Sequence, residues 1–236
     1  AGMISHFFTK KNTMRLVRPS LFWGKCRRII VTGFSTFFID VAMGILTMLF
    51  NRQIMKYLGG SALSVYGVIV NISTIVQCCA YSVGQSQPIF SICFGAGKWD
   101  RIKETLKYAL YSVACFSVVW TLLVFAFPNG FIRIFMAPTD EIYRIAPFIL
   151  RSYGISFLLL PLNVFSTYYF QALMKPGVSF LVSVLRGLIL SGIMICLLPI
   201  AAGPDSLWFA MVITEAAVAV LVISLIRRYT RELPAG

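Results

Sequence analysis

Acidic residues are scarce in this chain: eight Asp and Glu in 236 residues, with a single histidine, against 21 Lys and Arg. Charged residues of both signs make up 12% of the sequence and apolar residues 58%, where a soluble domain carries about 25% charged and about 45–50% apolar residues. Half the usual charge cannot cover the surface of a soluble globule of this size. That excludes a cytosolic enzyme, a secreted disulfide scaffold and a disordered regulator, and leaves an integral membrane protein. The lone histidine, His6, lies in a polar lead-in, which argues against histidine-based metal or acid–base chemistry. Six cysteines, at 26, 78, 79, 93, 115 and 196, have no C-x-x-C spacing, so neither a zinc site nor a redox pair is written here. They read as small buried hydrophobes.

Enzyme signatures are also missing. Gly95-Ala96-Gly97-Lys98 has the look of a phosphate loop, but Ile92 stands where the first glycine belongs and Trp99 where Ser or Thr belongs. No H-E-x-x-H, G-x-S-x-G, kinase set or paired aspartates for a prenyl diphosphate occur. The expectation is a protein that is not an enzyme and needs no organic cofactor.

What the sequence does hold is a net charge of +13, placed around apolar runs. Lys10, Lys11, Arg15, Arg18, Lys25, Arg27 and Arg28 precede the first run, and Arg227, Arg228 and Arg231 follow the last. Basic flanks of this kind are orientation signals against the cytoplasmic face. No recognition helix, finger or RNP-type motif accompanies them, so nucleic acid is not expected as a partner. The lead-in 1–28 has no apolar h-region, which reads as no signal peptide.

A bilayer core about 30 Å thick needs about 20 apolar residues in a helix. Six segments meet this: 29–50, 62–88, 105–127, 146–170, 179–199 and 206–226. Lys98, Arg101, Lys103 and Lys107 follow the second, and Lys175 the fourth. The positive-inside rule then puts both termini in the cytoplasm, with 1–28 as a basic linker and 227–236 as a tail. Gly130–Met136 is too short to cross and reads as an interfacial helix. Pro88 and Pro161 are expected to bend or break the second and fourth spans.

Asp40 lies eleven positions into the first span, near mid-membrane at 1.5 Å per residue. With Gly33, Thr36, Gly44, Thr47 and Asn51 it forms one narrow polar stripe, which predicts a face turned toward a bundle interior. An ionisable residue at that depth is a functional hypothesis by default. Glu215, nine residues into the last span, has an apolar face of its own, so its partner must come from another helix. Arg186 can supply it, can pair with Asp40, or can reach the interface by its long stem. Asn71, Thr74, Cys78, Tyr81 and Gln85 make a second stripe, with Gln87 beyond it. Ser156, Asn163, Ser166 and Thr167, with Gln171 at the end, make a third. Any one such group is ordinary interhelical glue, but three stripes together point to a lined cavity.

The stretch Gly84-Gln85-Ser86-Gln87-Pro88-Ile89-Phe90-Ser91, leading to Phe94-Gly95-Ala96-Gly97-Lys98-Trp99-Asp100-Arg101-Ile102-Lys103, resembles the Q-P-I-x-S…G-A…R-[VI]-K pattern of multidrug and toxic compound extrusion (MATE) transporters. Tyr66-Gly67 to Asn71, Phe170-Gln171-Ala172-Leu173, Leu185-Arg186-Gly187 and Trp208-Phe209-Ala210 ahead of Glu215 agree with it. The lead-in Ser5 to Asn12 is similar to the basic linker between the two lobes of bacterial members. The resemblance implies an all-α, six-helix lobe, the C-terminal half of a twelve-span transporter in the bacterial cytoplasmic membrane. Its partners would be the lipid bilayer, amphipathic substrates and the N-terminal lobe that the segment does not contain. It further implies cation coupling, Na⁺ or H⁺, at Asp40 and Glu215. Asp40 falls where Glu is common in the family, and Na⁺ there is the one metal candidate. Thr36, Asn71, Gln85, Gln87, Asn163, Gln171 and Arg186 are the expected cavity residues. A flippase for lipid-linked saccharides of the same superfamily and a half-length, non-transporting membrane subunit are the alternatives.

Overall fold

Hydrocarbon offers the backbone no hydrogen-bond partners, so a chain this apolar must satisfy its peptide groups within helices. The computed structural model describes the backbone of residues 22–231 and the side chains of 23, 24, 26 and 41–231. All the regular structure within that range is helical. The expected linker residues 1–21 and tail residues 232–236 lie outside the described residues, as do the side chains of Thr36 and Asp40. Two compact units are present, Ala1–Phe38 and Ile39–Gly236. The described part of the first is helical from Phe22, and everything below concerns the second.

Helix α1 (Phe22–Tyr57) is followed by α2 (Gly59–Gly84) through a turn in which Gly59 takes φ +83°, a left-handed conformation that glycine adopts without a Cβ clash. Then come α3 (Gln87–Gly95), α4 (Trp99–Ala126), the short α5 (Pro128–Phe135) and α6 (Asp140–Gly154). A 3₁₀ turn, Ile155–Leu158, leads into α7 (Leu160–Ala172). Helix α8 (Pro176–Val184) passes through a π-turn, Leu185–Ile189, into α9 (Leu190–Ala202), and a second 3₁₀ turn, Pro204–Phe209, opens α10 (Ala210–Arg231).

Among the described residues, five segments are long and apolar enough to cross a membrane: Gly59–Gly95, Trp99–Ala126, Asp140–Ala172, Pro176–Ala202 and Pro204–Arg231. They match five of the six expected spans and run longer at most ends. The added turns, such as Trp99–Glu104 and Asp140–Ile145, are amphipathic, and a count of apolar residues alone misses them. Arg227, Arg228 and Arg231, expected to begin the tail, continue α10.

Both proline breaks fall where the ring dictates. Pro88 sits in the first turn of α3 just after the Gln85-Ser86 interruption, and Pro161 in the first turn of α7 after the 3₁₀ turn. Neither residue can donate a backbone N–H, so each is tolerated where that donor would have no helical partner. The segment Gly130–Met136, expected as a short non-crossing helix, falls mostly within α5 (Pro128–Phe135), which is anchored by buried Pro128 and Ile132.

Two aromatic clusters hold opposite ends of the second unit. At one end Phe50 stacks on Tyr66 with centroids 4.6 Å apart, and Tyr153 and Trp208 each approach Phe50 at 6.4 Å, which ties α1, α2, α6 and the turn before α10. At the other, Phe90 meets Tyr169 edge-on at 5.4 Å and Phe170 meets Tyr229 at 6.1 Å, joining α3, α7 and α10. Such pairs contribute about 0.5–1.5 kcal/mol each beyond the area they bury.

Gly84, the last residue of α2, lies against the Tyr168 ring of α7. A Cβ there would stand 2.7 Å from Cδ2 and 2.9 Å from Cγ. Tyr168 in turn meets Tyr81 edge-on at 6.1 Å. Gly84→Ala must therefore push the ring aside and open the α2–α7 seam. The expected loss is about 1–3 kcal/mol, read as a lowered melting temperature of the detergent-solubilised protein, while Gly67→Ala, where a Cβ meets nothing within 4 Å, should leave it unchanged.

Candidate functional site: a buried ion pair and an outward polar face

Glu215 enters the core from the second turn of α10 and is fully buried. An isolated carboxylate in such a place is strongly disfavoured, and the lobe answers from two other elements. Arg186 Nε donates to Glu215 Oε1 at 2.7 Å. Asn163 Nδ2 donates to Oε2 at 2.6 Å and to the Glu215 backbone oxygen at 2.9 Å. Both carboxylate oxygens are thus occupied.

Local irregularities in two helices set this geometry. Arg186 sits in the π-turn, whose wider helical repeat re-aims side chains, and Ser191 Oγ donates to the Arg186 carbonyl. Gly187, beside it, is buried against Met43 of α1. Asn163 stands one turn into α7, just after the break that precedes Pro161, with its N–H donating to the Leu159 carbonyl at 3.1 Å. Its Oδ1 is buried without a protein partner, as is Ser156 Oγ in the 3₁₀ turn. A buried pair of this kind is weak evidence for net stability, because desolvation can offset the attraction. What it can do is register three elements against one another, and present a carboxylate that changes its partner if Arg186 withdraws.

The other expected site residues lie elsewhere. Asn71 is exposed on α2 and donates to its own helix at Gly67 O, 3.0 Å away. Thr74, Cys78, Tyr81 and Gln85 of the same stripe are also exposed, whereas Val65, Ile69, Ile72, Val76 and Ala80 on the opposite face are buried. Gln87 is half-buried at the start of α3, and Gln171 is exposed with Nε2 donating to Ser179 Oγ at 3.2 Å. On α1, Gly44 and Thr47 are exposed and Asn51 is half-buried. The described part of the Asp40 stripe therefore faces outward from this lobe. Among the described residues of this lobe nothing packs over Gly44 and Thr47, and the side chains of Thr36 and Asp40 lie outside the described residues; a helical wheel identifies the polar face without saying what packs against it. The third stripe does turn inward, with Asn163 and Ser166 buried.

Arg151 was missed by the sequence reading, although it falls inside the expected span 146–170. It is exposed, and its Nε donates to Phe125 O at 3.2 Å, at the carbonyl end of α4. Its partner lies 26 residues earlier in the chain, so no local sequence signal announced the contact.

Residues 31–198 match the MatE family model. The chain belongs to this family. An 89-residue stretch is 25% identical to the probable multidrug resistance protein YoeA of Bacillus subtilis (strain 168), covering 37% of the chain and 19% of that protein. The fold is similar to an outward-facing multidrug resistance MATE family transporter of the MOP superfamily, with TM-score 0.83, 15% identity, and 96% of this chain on 52% of that one. An inward-facing MATE structure matches at TM-score 0.79 and 15% identity, 98% of this chain on 54% of that one. A MOP superfamily transporter from Pyrococcus furiosus, reported to have a binding pocket of reverse polarity, matches at TM-score 0.85 and 14% identity over the whole chain and 54% of its own length. The chain thus spans about half the length of the solved transporters it matches, and it has the fold of a transporter lobe.

Truncating one partner of the buried pair should cost far more than replacing both. Arg186→Met leaves Glu215 buried against Asn163 alone and is expected to destabilise the lobe by about 3–5 kcal/mol. Arg186→Met combined with Glu215→Gln should recover most of that loss. Thermal unfolding in detergent across the four-member cycle checks this, with the double variant expected above the Arg186→Met single.

Proposed function

We propose that this lobe is the C-terminal half of a cation-coupled multidrug antiporter of the bacterial cytoplasmic membrane. It exports amphipathic, often cationic compounds by alternating access in exchange for Na⁺ or H⁺. The observation that carries the reading is the outward polar face of α2. A row of Asn71, Thr74, Cys78 and Gln85 on a membrane-crossing helix is costly against lipid and suits a water-filled cavity or a second lobe. The match to half the length of the solved transporters supports a second lobe as what that face meets.

The first span of this reading, 29–50, falls within helix α1. It brings Asp40 to mid-membrane on the same helix as the outward Gly44 and Thr47. A carboxylate there binds either a cation or a proton, and its occupancy alters the cost of closing the cavity. The ligand moves the inward–outward equilibrium only by its differential affinity for the two states. Glu215, held by Arg186 and Asn163, is the second coupling candidate, and any cation taking it must displace the guanidinium. Similarity to both outward- and inward-facing relatives supports a lobe that moves as one body. The charge distribution supports cytoplasmic termini. Lys98, Arg101, Lys103, Lys107, Lys175, Arg227, Arg228 and Arg231 lie at one end of the bundle, against Arg52, Lys56, Arg133, Arg144 and Arg151 at the other.

Asp40→Asn in the complete transporter should abolish ion-driven efflux of a cationic dye from loaded cells at unchanged membrane expression. Efflux at the unaltered rate would remove Asp40 from coupling.

A further inference from the structure

At the end of the lobe where α4 begins and α10 finishes, two adjoining grooves share Lys103 and Leu106. One, of about 410 Å³, is walled by Ile226, Arg227, Thr230 and Arg231. The other, of about 360 Å³, continues along α4 past Lys107, Leu110 and Tyr111. The rim is cationic and the floor apolar. Thr230 is fixed by a 2.8 Å hydrogen bond with Tyr169, which anchors the α10 wall to α7. Among the described residues the acids nearby are Asp100, whose largely solvated carboxylate is 4.0 Å from Nζ of the part-buried Lys103, and exposed Glu104. Against Lys103, Lys107, Arg227 and Arg231 they leave the groove net positive.

The depth of this groove is set by what flanks it. Tyr108 and Tyr111 are each 63% exposed, the placement of aromatic side chains at a membrane–water boundary. Further along α4, Val118, Val119 and Leu122 present an exposed apolar wall. A ligand here meets positive charge at headgroup level and hydrocarbon directly beneath it. We infer that this groove binds an anionic phospholipid. Lys103, Arg227 and Arg231 hold the phosphate, and the acyl chains run over Leu106 and Leu110 along the outer flank of α4. Basic pockets between membrane helices take such head groups because the surrounding low dielectric strengthens the attraction. The four-carbon and guanidinium stems of the rim can lie along the apolar floor while their charges face the phosphate.

The test is a titration of the full-length detergent-solubilised transporter with fluorescent phosphatidylglycerol, compared with phosphatidylcholine of the same chains. Phosphatidylglycerol should bind clearly tighter. Lys103→Gln/Arg227→Gln/Arg231→Gln should weaken it on the order of a hundredfold at low salt, and the single Arg231→Gln by a smaller factor in the same direction. The charge-keeping Lys103→Arg/Arg227→Lys/Arg231→Lys should bind nearly as wild type, and Arg144→Gln at the opposite end should not differ from it. Equal binding of the two lipids by wild type, or equal loss in the triple variant and in Arg144→Gln, would overturn the site. So would displacement of the lipid by millimolar inorganic phosphate, since the apolar floor would then contribute nothing.

Discussion

Hydrocarbon solvates neither a peptide group nor a charge, and the lobe sorts its polar side chains under that constraint. Some are turned inward and matched: Glu215 is completely buried, with Arg186 and Asn163 on its two oxygens. Others are collected on one outward face of α2, where Asn71, Thr74 and Ser82 also satisfy part of their hydrogen bonding on their own helix. The flank of α4, by contrast, is exposed and apolar. An inward network, a polar face and an apolar flank are three different solutions to one solvent, and they divide the surface into parts that suit lipid and parts that do not.

Helix irregularities serve the same division. The Gln85-Ser86 interruption, the 3₁₀ turn before α7 and the π-turn at Leu185–Ile189 each interrupt a span. Freed backbone groups are tolerated at such depths where protein re-satisfies them, as Ser86 does with Val83 O at 2.7 Å and Ser191 with the Arg186 carbonyl. The last two breaks stand immediately beside Asn163 and Arg186. The network that neutralises Glu215 is thus built from the residues whose helices deviate from regular geometry. On the proposed reading, a change of partner at Glu215 would be felt by three elements at once, which is how a local charge event biases a two-state lobe.

Much of this was legible from residue types. Proline removes a donor and fixes φ, and Pro88 and Pro161 do mark two breaks, whereas Pro147 and Pro199 lie inside helices that continue past them. The short α5 followed from a run too brief to cross. Glu215 required a partner from another helix because its own face is apolar, and Arg186 was among few candidates. The π-turn had no proline to announce it; buried Gly187 against Met43 was its nearest trace. Asn163 read as a cavity residue because its stripe is polar, yet packing turned that stripe inward. The α2 stripe went the other way. Periodicity distinguishes one helix face from another, but only the neighbouring helices determine which face is covered.

The central claim is that the polar face of α2 meets water within the membrane while the flank of α4 meets lipid. Two free cysteines carry that comparison without any insertion. Cys78 is exposed on the α2 stripe and Cys115 is exposed on α4 beside Phe116. Maleimides react with the thiolate, which forms in water and not in hydrocarbon. The measurement is labelling of the protein in native membranes by a membrane-impermeant maleimide, applied from each side and resolved by peptide mass spectrometry. The account predicts modification at Cys78 from at least one side with Cys115 left unmodified. Modification of Cys115 with Cys78 protected from both sides would contradict it.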